Sequence, residues 1–295
     1  MNSEPTRCRL CASSVVACGE QRILRYDVTV FLCPECDLLQ TQKPHWLDEA
    51  YSTALTLLDT GAAQRSQITV GVTLGIASIL GIRRSSRCLD FGGGHGLFVR
   101  MMRDRGYDFR WVDRYAENMF ARGFTGNPAA SHDLVTSFEV FEHLVDVAGD
   151  LDLLFRPRHR YILVGTLLHH GYDERWWYFS NETGQHVSFF SPRTMRFVAD
   201  RYRYQVFIGP QYSLFARDDE AIGLVRKGLL RQCIPRSWLL FGLTSLVPEA
   251  LRFRFGPSRA ADDSSELEQI LRQQHIDQHE SGRGTPDDGR SAMHS

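Results

Sequence analysis

The chain has 295 residues, of which 43% are hydrophobic and 23% charged, a composition typical of a folded protein with one full α/β domain and a small additional module. The formal net charge is −1, so no global electrostatic attraction to nucleic acid is expected. No apolar run reaches the roughly 18 residues that a membrane-spanning helix needs.

Two Cys-x-x-Cys pairs lie near the beginning of the chain, about 20 residues apart. Their members are Cys8 and Cys11, then Cys33 and Cys36. A two-residue gap lets both thiolates of a pair face one tetrahedral ion, and the spacing between the pairs is close to that of four-cysteine zinc sites. Disulfide pairing is the alternative, but no secretory signal precedes Cys8.

Residues 1–42 are therefore predicted to form a zinc-binding ribbon. A segment this short cannot bury a core of its own, so the metal would supply folding free energy on the order of 10 kcal/mol. The zinc is expected to be structural, because four thiolates leave no coordination position open. Residues 43–87 are predicted to form a helical connector, and the apolar stretch 68–82 suits a helix packed on a sheet.

The most informative stretch is 90–96, which reads Asp-Phe-Gly-Gly-Gly-His-Gly and follows a short apolar run. A strand-to-helix turn of this kind is where doubly wound sheets hold nucleotide-like cofactors. Its alternate glycines allow left-handed backbone and close approach of a ligand; they are Gly92, Gly94 and Gly96. A dinucleotide fingerprint would need its third glycine at position 97, where Leu97 stands. A chance glycine turn is the alternative.

The pattern Asp-x-Gly-x-Gly-x-Gly that begins at Asp90 resembles motif I of class I S-adenosylmethionine-dependent methyltransferases. In that family the glycine turn carries the methionine part of the cofactor, and an acid at the end of the next strand binds the ribose hydroxyls. Asp113 closes the apolar run 109–113 and stands where the family has this acid. A carboxylate is a suitable acceptor for two vicinal hydroxyls.

The resemblance continues at 133–144, which looks like the fourth strand and following loop of the same family. It implies that the cofactor pocket is lined by Ser137, Phe138 and Glu139. It also implies that part of the connector folds over the cofactor as a lid. The resemblance covers roughly residues 70–216, with the methyltransferase domain at 88–216.

The fold class implied is α/β, a Rossmann-like seven-stranded methyltransferase sheet beside the small zinc ribbon. The predicted strands are 88–91, 109–113, 133–138, 160–166, 204–208 and 212–216. The predicted helices are 95–105, 115–122, 145–155 and 192–201.

The loop between residues 167 and 191 is expected to provide the acceptor pocket. It is rich in aromatic residues and histidines, and it leaves the carboxyl edge of the sheet, where ligands bind in such folds. His186 is the first candidate for the base that removes a proton from the acceptor. A structural hydrogen bond by the same imidazole is the alternative.

Glu139, Glu142 and His143 form a rival site. Their order resembles a stretch that holds a divalent ion near the acceptor hydroxyl in some quinone-pathway O-methyltransferases, and carboxylates with an imidazole can bind such an ion. The same Glu-His pair occurs in methyltransferases without a metal, where it shapes the pocket. The candidate catalytic residues are thus His186, His143 and Glu139.

The chain after the catalytic fold divides into two parts. Residues 217–260 are predicted to be an apolar helical extension, in which 238–247 packs on the domain, forms a dimer contact or lies at a membrane surface. Residues 261–295 contain few large apolar side chains and are predicted to be disordered. The expected location is cytoplasmic, with peripheral membrane contact through 238–247 as an option.

A cysteine ribbon followed by this domain resembles the zinc-binding sugar C-methyltransferases and their uncharacterised relatives. Those enzymes usually carry a further C-terminal domain, and only about 80 residues follow Ala216 here, which weakens the case for sugar C-methylation. The expected function is S-adenosylmethionine-dependent O- or C-methylation of a small hydroxylated metabolite or saccharide. Two alternatives stay open: an rRNA or tRNA methyltransferase, which the balanced charges of residues 1–42 disfavour, and a non-catalytic cofactor-binding scaffold.

Overall fold

A computed structural model describes residues 7–51 and 62–220, together with Gln269 and Gln273. The apolar segment 238–247, nearly all of the 217–260 extension and most of the 261–295 tail lie outside the described residues, as do positions 52–61 of the connector. Within these ranges, no helix is both long enough and apolar enough to cross a membrane.

The described chain folds into two sheets and five α-helices. In chain order the strands are β1 (Val16–Ile23), β2 (Tyr26–Leu32), β3 (Leu39–Thr41), β4 (Cys88–Phe91), β5 (Phe109–Val112), β6 (Leu134–Phe138), β7 (Tyr161–Gly165), β8 (Ser188–Phe189), β9 (Tyr204–Ile208) and β10 (Tyr212–Arg217). The helices are α1 (Leu47–Ala50), α2 (Ala62–Leu80), α3 (Leu97–Arg103), α4 (Val147–Phe155) and α5 (Pro192–Tyr202).

The larger sheet has the strand order β5-β4-β6-β7-β10-β9. Its first four strands are parallel, and β10 runs antiparallel to both neighbours. This is the Rossmann-like methyltransferase arrangement that the sequence predicts, but the sheet has six strands rather than seven. Between β5 and β6 the chain forms only one bridge, from Trp111 to Thr125, because Gly123, Gly126 and Pro128 disfavour a regular strand there.

The predicted helix at 115–122 does not form. The side chain of Asn118 instead bonds to the backbone of Ala121 in both directions, each at 2.8 Å, and closes a tight turn. Asparagine side chains compete in this way with the hydrogen bonds of a helix. The prediction was wrong because this local competition outweighs the moderate helix propensity of the segment.

The smaller sheet is antiparallel, with the order β1-β2-β3-β8. Its fourth strand comes from the 167–191 segment, so the N-terminal residues and this segment share one sheet. Both are also joined in one apolar cluster, in which Tyr178, Phe179 and Phe189 pack on Val30 and Leu39. The segment is therefore anchored structure and not a free loop.

Two apolar layers cover the larger sheet. Side chains of α2 and α3 pack on one face, which agrees with the packed helix expected for 68–82. Side chains of α4 and α5 pack on the other, in the same cluster as Cys8, Cys33 and Cys36. The N-terminal residues 7–42, here called the cysteine module, are thus packed directly against the core of the larger sheet.

Candidate active site

The four cysteines of the two Cys-x-x-Cys pairs lie together. The Sγ–Sγ distances are 3.5 Å for Cys8–Cys36, 3.5 Å for Cys11–Cys33 and 3.7 Å for Cys11–Cys36. A tetrahedral zinc ion with Zn–S bonds near 2.3 Å needs sulfurs about 3.8 Å apart, whereas a disulfide needs about 2 Å. The four thiols are unpaired and their arrangement fits a four-cysteine zinc site.

Both cysteine pairs are shaped by the same turn. Ala12 and Asp37, one residue beyond each pair, have left-handed backbones with φ of 62° and 63°. Their amides donate to the carbonyls of Cys8 and Cys33 at 2.9 and 2.8 Å. Each turn brings the second cysteine of a pair back toward the first, so the local backbone explains why the four sulfurs can meet.

The glycine turn follows β4 at the carboxyl edge of the larger sheet. Gly92, Gly94 and Gly96 have φ of 72°, 52° and 85°, the region that glycine adopts without strain. A Cβ added at Gly94 would meet no atom within 4 Å, so the backbone there is open to a ligand. The indole of Trp111 donates to the Gly94 carbonyl at 2.8 Å and holds the turn from β5.

Asp113 lies beside this turn, at the end of β5. Its Oδ2 accepts a hydrogen bond from the Gly94 amide at 2.9 Å, and its Oδ1 accepts from the amides of Tyr115 and Ala116 at 2.8 and 2.9 Å. The carboxylate therefore joins the two loops that face the ligand space. A carboxylate can accept about four hydrogen bonds, so it keeps capacity for a hydroxyl donor.

Asp90 is buried at the start of the glycine turn, where the hydroxyl of Thr136 donates to its Oδ1 at 2.6 Å. Burial raises the pKa of Asp90 from its ordinary 3.8 to about 7, against the opposing effect of the Thr136 hydrogen bond. The side chain is thus largely protonated below about pH 7 and ionises near neutral pH.

Asp90→Asn is expected to remove a pH-dependent loss of stability. An aspartate in the unfolded chain ionises near pH 4, whereas folded Asp90 holds its proton up to about pH 7. The folded state binds more protons between these values, so stability falls as pH rises through them, by at most about 4 kcal/mol. Asparagine has no proton to lose and should abolish this part of the decline.

Urea denaturation of the cofactor-free protein at about pH 4.5, 6 and 7.5 measures the effect, because the unfolding free energy is obtained at each pH. Asp48→Asn serves as the control, since Asp48 is an exposed residue. Equal pH slopes in the wild type and Asp90→Asn would contradict the assignment.

Ser137 and Phe138 end β6. The Ser137 hydroxyl is buried and has no hydrogen-bond partner among residues 7–51 and 62–220, as expected of an atom that meets a ligand. The Phe138 ring packs at 5.3 and 6.0 Å from the rings of Phe98 and Tyr212. The hydroxyl of Ser137 is thus open for a partner, whereas the ring of Phe138 is engaged in core contacts.

Two carboxyl groups follow β6. Glu142 is fully buried; the hydroxyl of Tyr178 donates to its Oε1 at 2.6 Å, and that of Thr166 donates to its Oε2 at 2.9 Å. Glu139 has φ of 52°, a strained value for a residue with a side chain. Burial, with the nearby charge of Glu142, raises the pKa of Glu139 to about 8. Burial also raises the pKa of Glu142.

His143 and His186 lie together although 43 positions separate them, with ring centroids 4.9 Å apart. Nδ1 of His143 donates to the carbonyl of Gln185 at 3.1 Å, and Nδ1 of His186 donates to that of Tyr178 at 2.7 Å. Burial lowers the pKa of His143 to about 4 and, with the effect of His143, that of His186 to about 3. Both rings are therefore neutral, and each keeps an Nε2 lone pair.

The sequence indicated most of the residues of this site, but the contacts of four others became visible only in the structure. Gly93 is one, because a Cβ there would lie 2.7 Å from the Trp111 ring and 2.8 Å from Asp90 Oδ2. Tyr178 and Thr166 are others, since only the fold shows that both bond to Glu142. A third is Tyr51, whose hydroxyl lies 3.1 Å from Nδ1 of His143. Tyr178 lies in the aromatic-rich segment and Gly93 in the glycine-rich turn, whereas no sequence signal marked Thr166 or Tyr51.

A known family described as a methyltransferase domain matches residues 66–206 of the chain. No curated protein matches the sequence. Among solved structures, the methyltransferase domain of a bacterial Hen1 is 16% identical, with a TM-score of 0.37 over 51% of this chain and 98% of that one.

Two further solved structures are bound to S-adenosylhomocysteine. Magnesium protoporphyrin IX methyltransferase of Synechocystis is 12% identical, with a TM-score of 0.42 over 58% of this chain and 92% of that one. The 1,6-didemethyltoxoflavin-N1-methyltransferase of Burkholderia thailandensis is 13% identical, with a TM-score of 0.42 over 64% of this chain and 93% of that one. These identities are too low for the substrates of those proteins to indicate the substrate of this one.

The glycine turn, the acid after the next strand and the strand order agree with the family match. Residues 66–206 are a class I S-adenosylmethionine-dependent methyltransferase domain, and a cluster of four cysteines fit for zinc accompanies this domain.

Proposed function

We propose that this enzyme methylates a hydroxyl or an acidic carbon of a small hydroxylated metabolite or saccharide. The observation that carries the proposal is the grouping of His143, His186 and Glu142 at the sheet edge that also bears the glycine turn. Imidazoles and carboxyl groups accept hydrogen bonds from hydroxyls. A nucleic-acid site would need an excess of cationic groups for phosphates, so the balanced charges of residues 1–42 disfavour an RNA substrate.

The cofactor is proposed to lie along the glycine turn, against Asp90, Ser137 and Phe138, with its ribose at Asp113. The open space beside Gly94 and the unpartnered hydroxyl of Ser137 support this placement. Bound S-adenosylmethionine supplies an electrophilic methyl group. Zinc is proposed as the structural ion of the four-cysteine cluster, where its bonds to four thiolates leave no position for chemistry.

Methyl transfer is an in-line displacement, so the protein must align the acceptor and remove its proton. His186 is the proposed base, because its Nδ1–H is held by the Tyr178 carbonyl and its Nε2 lone pair is available. His143 beside it is proposed to orient the acceptor. Glu139, whose pKa of about 8 keeps it protonated at neutral pH, can donate a hydrogen bond to an acceptor oxygen.

Asp113→Ala is expected to weaken S-adenosylmethionine binding by roughly 2 to 3 kcal/mol, about a hundredfold in Kd, because a charge-assisted hydrogen bond to the ribose is lost. Isothermal titration calorimetry measures the change. Asp113→Asn keeps the size of the side chain and should weaken S-adenosylmethionine binding less than Asp113→Ala does. Glu117→Gln is the control, since Glu117 is exposed in the same loop. Unchanged affinity in Asp113→Ala would mean that the ribose lies elsewhere.

Catalysis is tested with S-adenosylmethionine that carries a labelled methyl group. The enzyme is incubated with pools of small hydroxylated metabolites and saccharides, and with total RNA as a second arm, and mass spectrometry identifies what gains a methyl group. Labelled metabolite supports the proposal. Label in RNA contradicts the proposed substrate class, and tight cofactor binding without any product supports the scaffold alternative.

A divalent ion at the acceptor site is a second candidate for how the proton is removed. One ligand-capable atom from each of Glu142, His143 and His186 lies within 4.8 Å of the others, so His186 replaces Glu139 in the set predicted from the sequence. Imidazoles whose Nδ1–H is held by a backbone carbonyl are oriented as metal ligands usually are. Two nitrogen ligands favour a transition metal over magnesium. Metal analysis of the purified protein distinguishes His186 as a base from His186 as a metal ligand. A second equivalent of bound metal that is lost in His186→Ala supports the ion.

A further inference from the structure

Arg9 stands between the two cysteines of the first pair, and its side chain reaches the segment that carries His186. The guanidinium donates to the carbonyls of Val187 and Thr41 at 2.8 Å each and to that of Gln42 at 2.9 Å. The residue that directly follows the proposed base is thus bonded to a side chain of the cysteine module.

Further hydrogen bonds fix both residues of the Arg9–Val187 contact. The Arg9 amide donates to the side chain of Gln40 at 2.8 Å, and its carbonyl accepts from the amide of Ala148, in α4, at 3.1 Å. On the other side, the Val187 amide donates to the carbonyl of Glu142 at 2.8 Å. Val187 is therefore hydrogen-bonded on one side to Arg9 of the first cysteine pair and on the other side to the turn that carries Glu142 and His143.

The charge of Arg9 needs a partner. Its other contacts are the hydroxyls of Thr41 and Ser188, each at 3.3 Å, and within the described chain no carboxylate lies within ion-pair distance of it. A partly buried cation that has only neutral acceptors is costly. Four thiolates around a divalent ion carry two negative charges in excess, and Arg9 directly follows one of these cysteines, Cys8, in the chain. A loaded cysteine cluster therefore places negative charge beside the residue that carries this guanidinium.

We propose that Arg9 is a positioning residue that couples the four-cysteine site to the segment carrying His186. The inference rests on the proposed function only in taking His186 as catalytic. With the cluster loaded, Arg9 holds Val187, and His186 keeps its hydrogen bond to the Tyr178 carbonyl. Loss of the metal frees the Cys8–Cys11 turn that carries Arg9, so the guanidinium no longer holds Val187 in one place and the imidazole loses its fixed orientation. The coupling acts in both directions.

The test compares Arg9→Gln with Arg193→Gln in the full-length, zinc-loaded protein. Arg193 also links the cysteine module to the catalytic domain, through the carbonyl of Glu35 at 2.8 Å, but it lies in α5 and not on the His186 segment. Two readouts need no acceptor: amide hydrogen exchange of residues 185–189, and the NMR signals of the His186 imidazole, assigned with His186→Gln.

Arg9→Gln is expected to speed exchange in 185–189 at least about tenfold and to shift the His186 signals, because this local segment opens more often. Zinc content should stay near one equivalent, and Arg193→Gln should alter neither readout. Arg9→Lys should give exchange rates between those of the wild type and Arg9→Gln. An ammonium keeps the charge but lacks the planar guanidinium whose N–H groups reach three carbonyls. If Arg9→Gln does not fold, the lysine variant provides the same comparison.

Removal of zinc from the wild type with a chelator should also speed exchange in 185–189 and shift the His186 signals, together with faster exchange in the residues around the four cysteines. Wild-type exchange and unshifted His186 signals in Arg9→Gln would overturn the coupling, as would equal changes in Arg193→Gln. If the signature appears but His186→Ala turns over normally, the coupling stands and the catalytic role of His186 fails. The two conclusions are therefore separable.

Discussion

Cys33→Ser is expected to abolish zinc binding at the four-cysteine cluster and to destabilise the protein strongly. A neutral hydroxyl cannot replace the thiolate, and metal binding contributes folding free energy on the order of 10 kcal/mol in sites of this type. The loss should spread beyond the N-terminal residues, because Cys33 belongs to the apolar cluster that includes α4 and α5. Metal analysis of the purified protein and thermal unfolding measure the two effects.

Cys18→Ser is the matched control. Cys18 lies in the same sheet but outside the cluster, and its thiol donates to the Val30 carbonyl at 3.3 Å, a bond that a serine hydroxyl can also form. The control should retain about one equivalent of zinc and most of the stability. A wild type that is free of zinc and contains paired thiols, or a Cys33→Ser variant of unchanged stability, would contradict the assignment.

His186→Ala is expected to lower turnover about 10²- to 10⁴-fold while cofactor affinity stays unchanged, because the group that takes the acceptor proton is removed. A loss of turnover is expected whether the imidazole acts as a base or as a ligand of an ion. Turnover is followed with labelled cofactor and the acceptor that the metabolite screen identifies, and cofactor affinity is followed by calorimetry.

His170→Ala is the control for this prediction, since His170 is an exposed histidine in the same segment. It should keep wild-type turnover. Chelator treatment that stops turnover but leaves thiolate-bound zinc in place, with recovery on addition of a divalent metal, would assign His186 to the ion. If turnover survives both His186→Ala and chelator, alignment of the reactants alone explains the rate.

The glycine turn and the cysteine pairs could be read from the sequence because their chemistry is local. Residues 90–96 form one turn, and each Cys-x-x-Cys pair closes within a few residues, so spacing already defines the donor geometry. Asp113 was predictable for a related reason: parallel strands end at the same edge, which places the acid after β5 beside the turn after β4. The parallel part of the sheet followed from the alternation of strands and helices, whereas its Rossmann-like methyltransferase form followed from the family resemblance.

Predictions of helices and strands from the local sequence pattern were least reliable between β5 and β6. The expected helix at 115–122 is replaced by the turn that Asn118 closes, and the seventh strand is reduced to the bridge at Thr125. One side-chain hydrogen bond is enough to change the backbone of a short segment whose helix propensity is weak. Propensities do not include such individual contacts, so they could not predict this turn.

The acceptor site depends on long-range contacts that no spacing encodes. His186 meets His143 because β8 pairs with β3 and because the Val187 amide bonds to the Glu142 carbonyl, two contacts between residues far apart in the chain. Burial of Glu142 and its bonds to Tyr178 and Thr166 arise from the same packing. The sequence therefore determined which chemical groups are present and the local turns that hold the cofactor and metal. The three-dimensional packing decided which distant groups meet and which of them are charged, because burial and pairing depend on neighbours far apart in the chain.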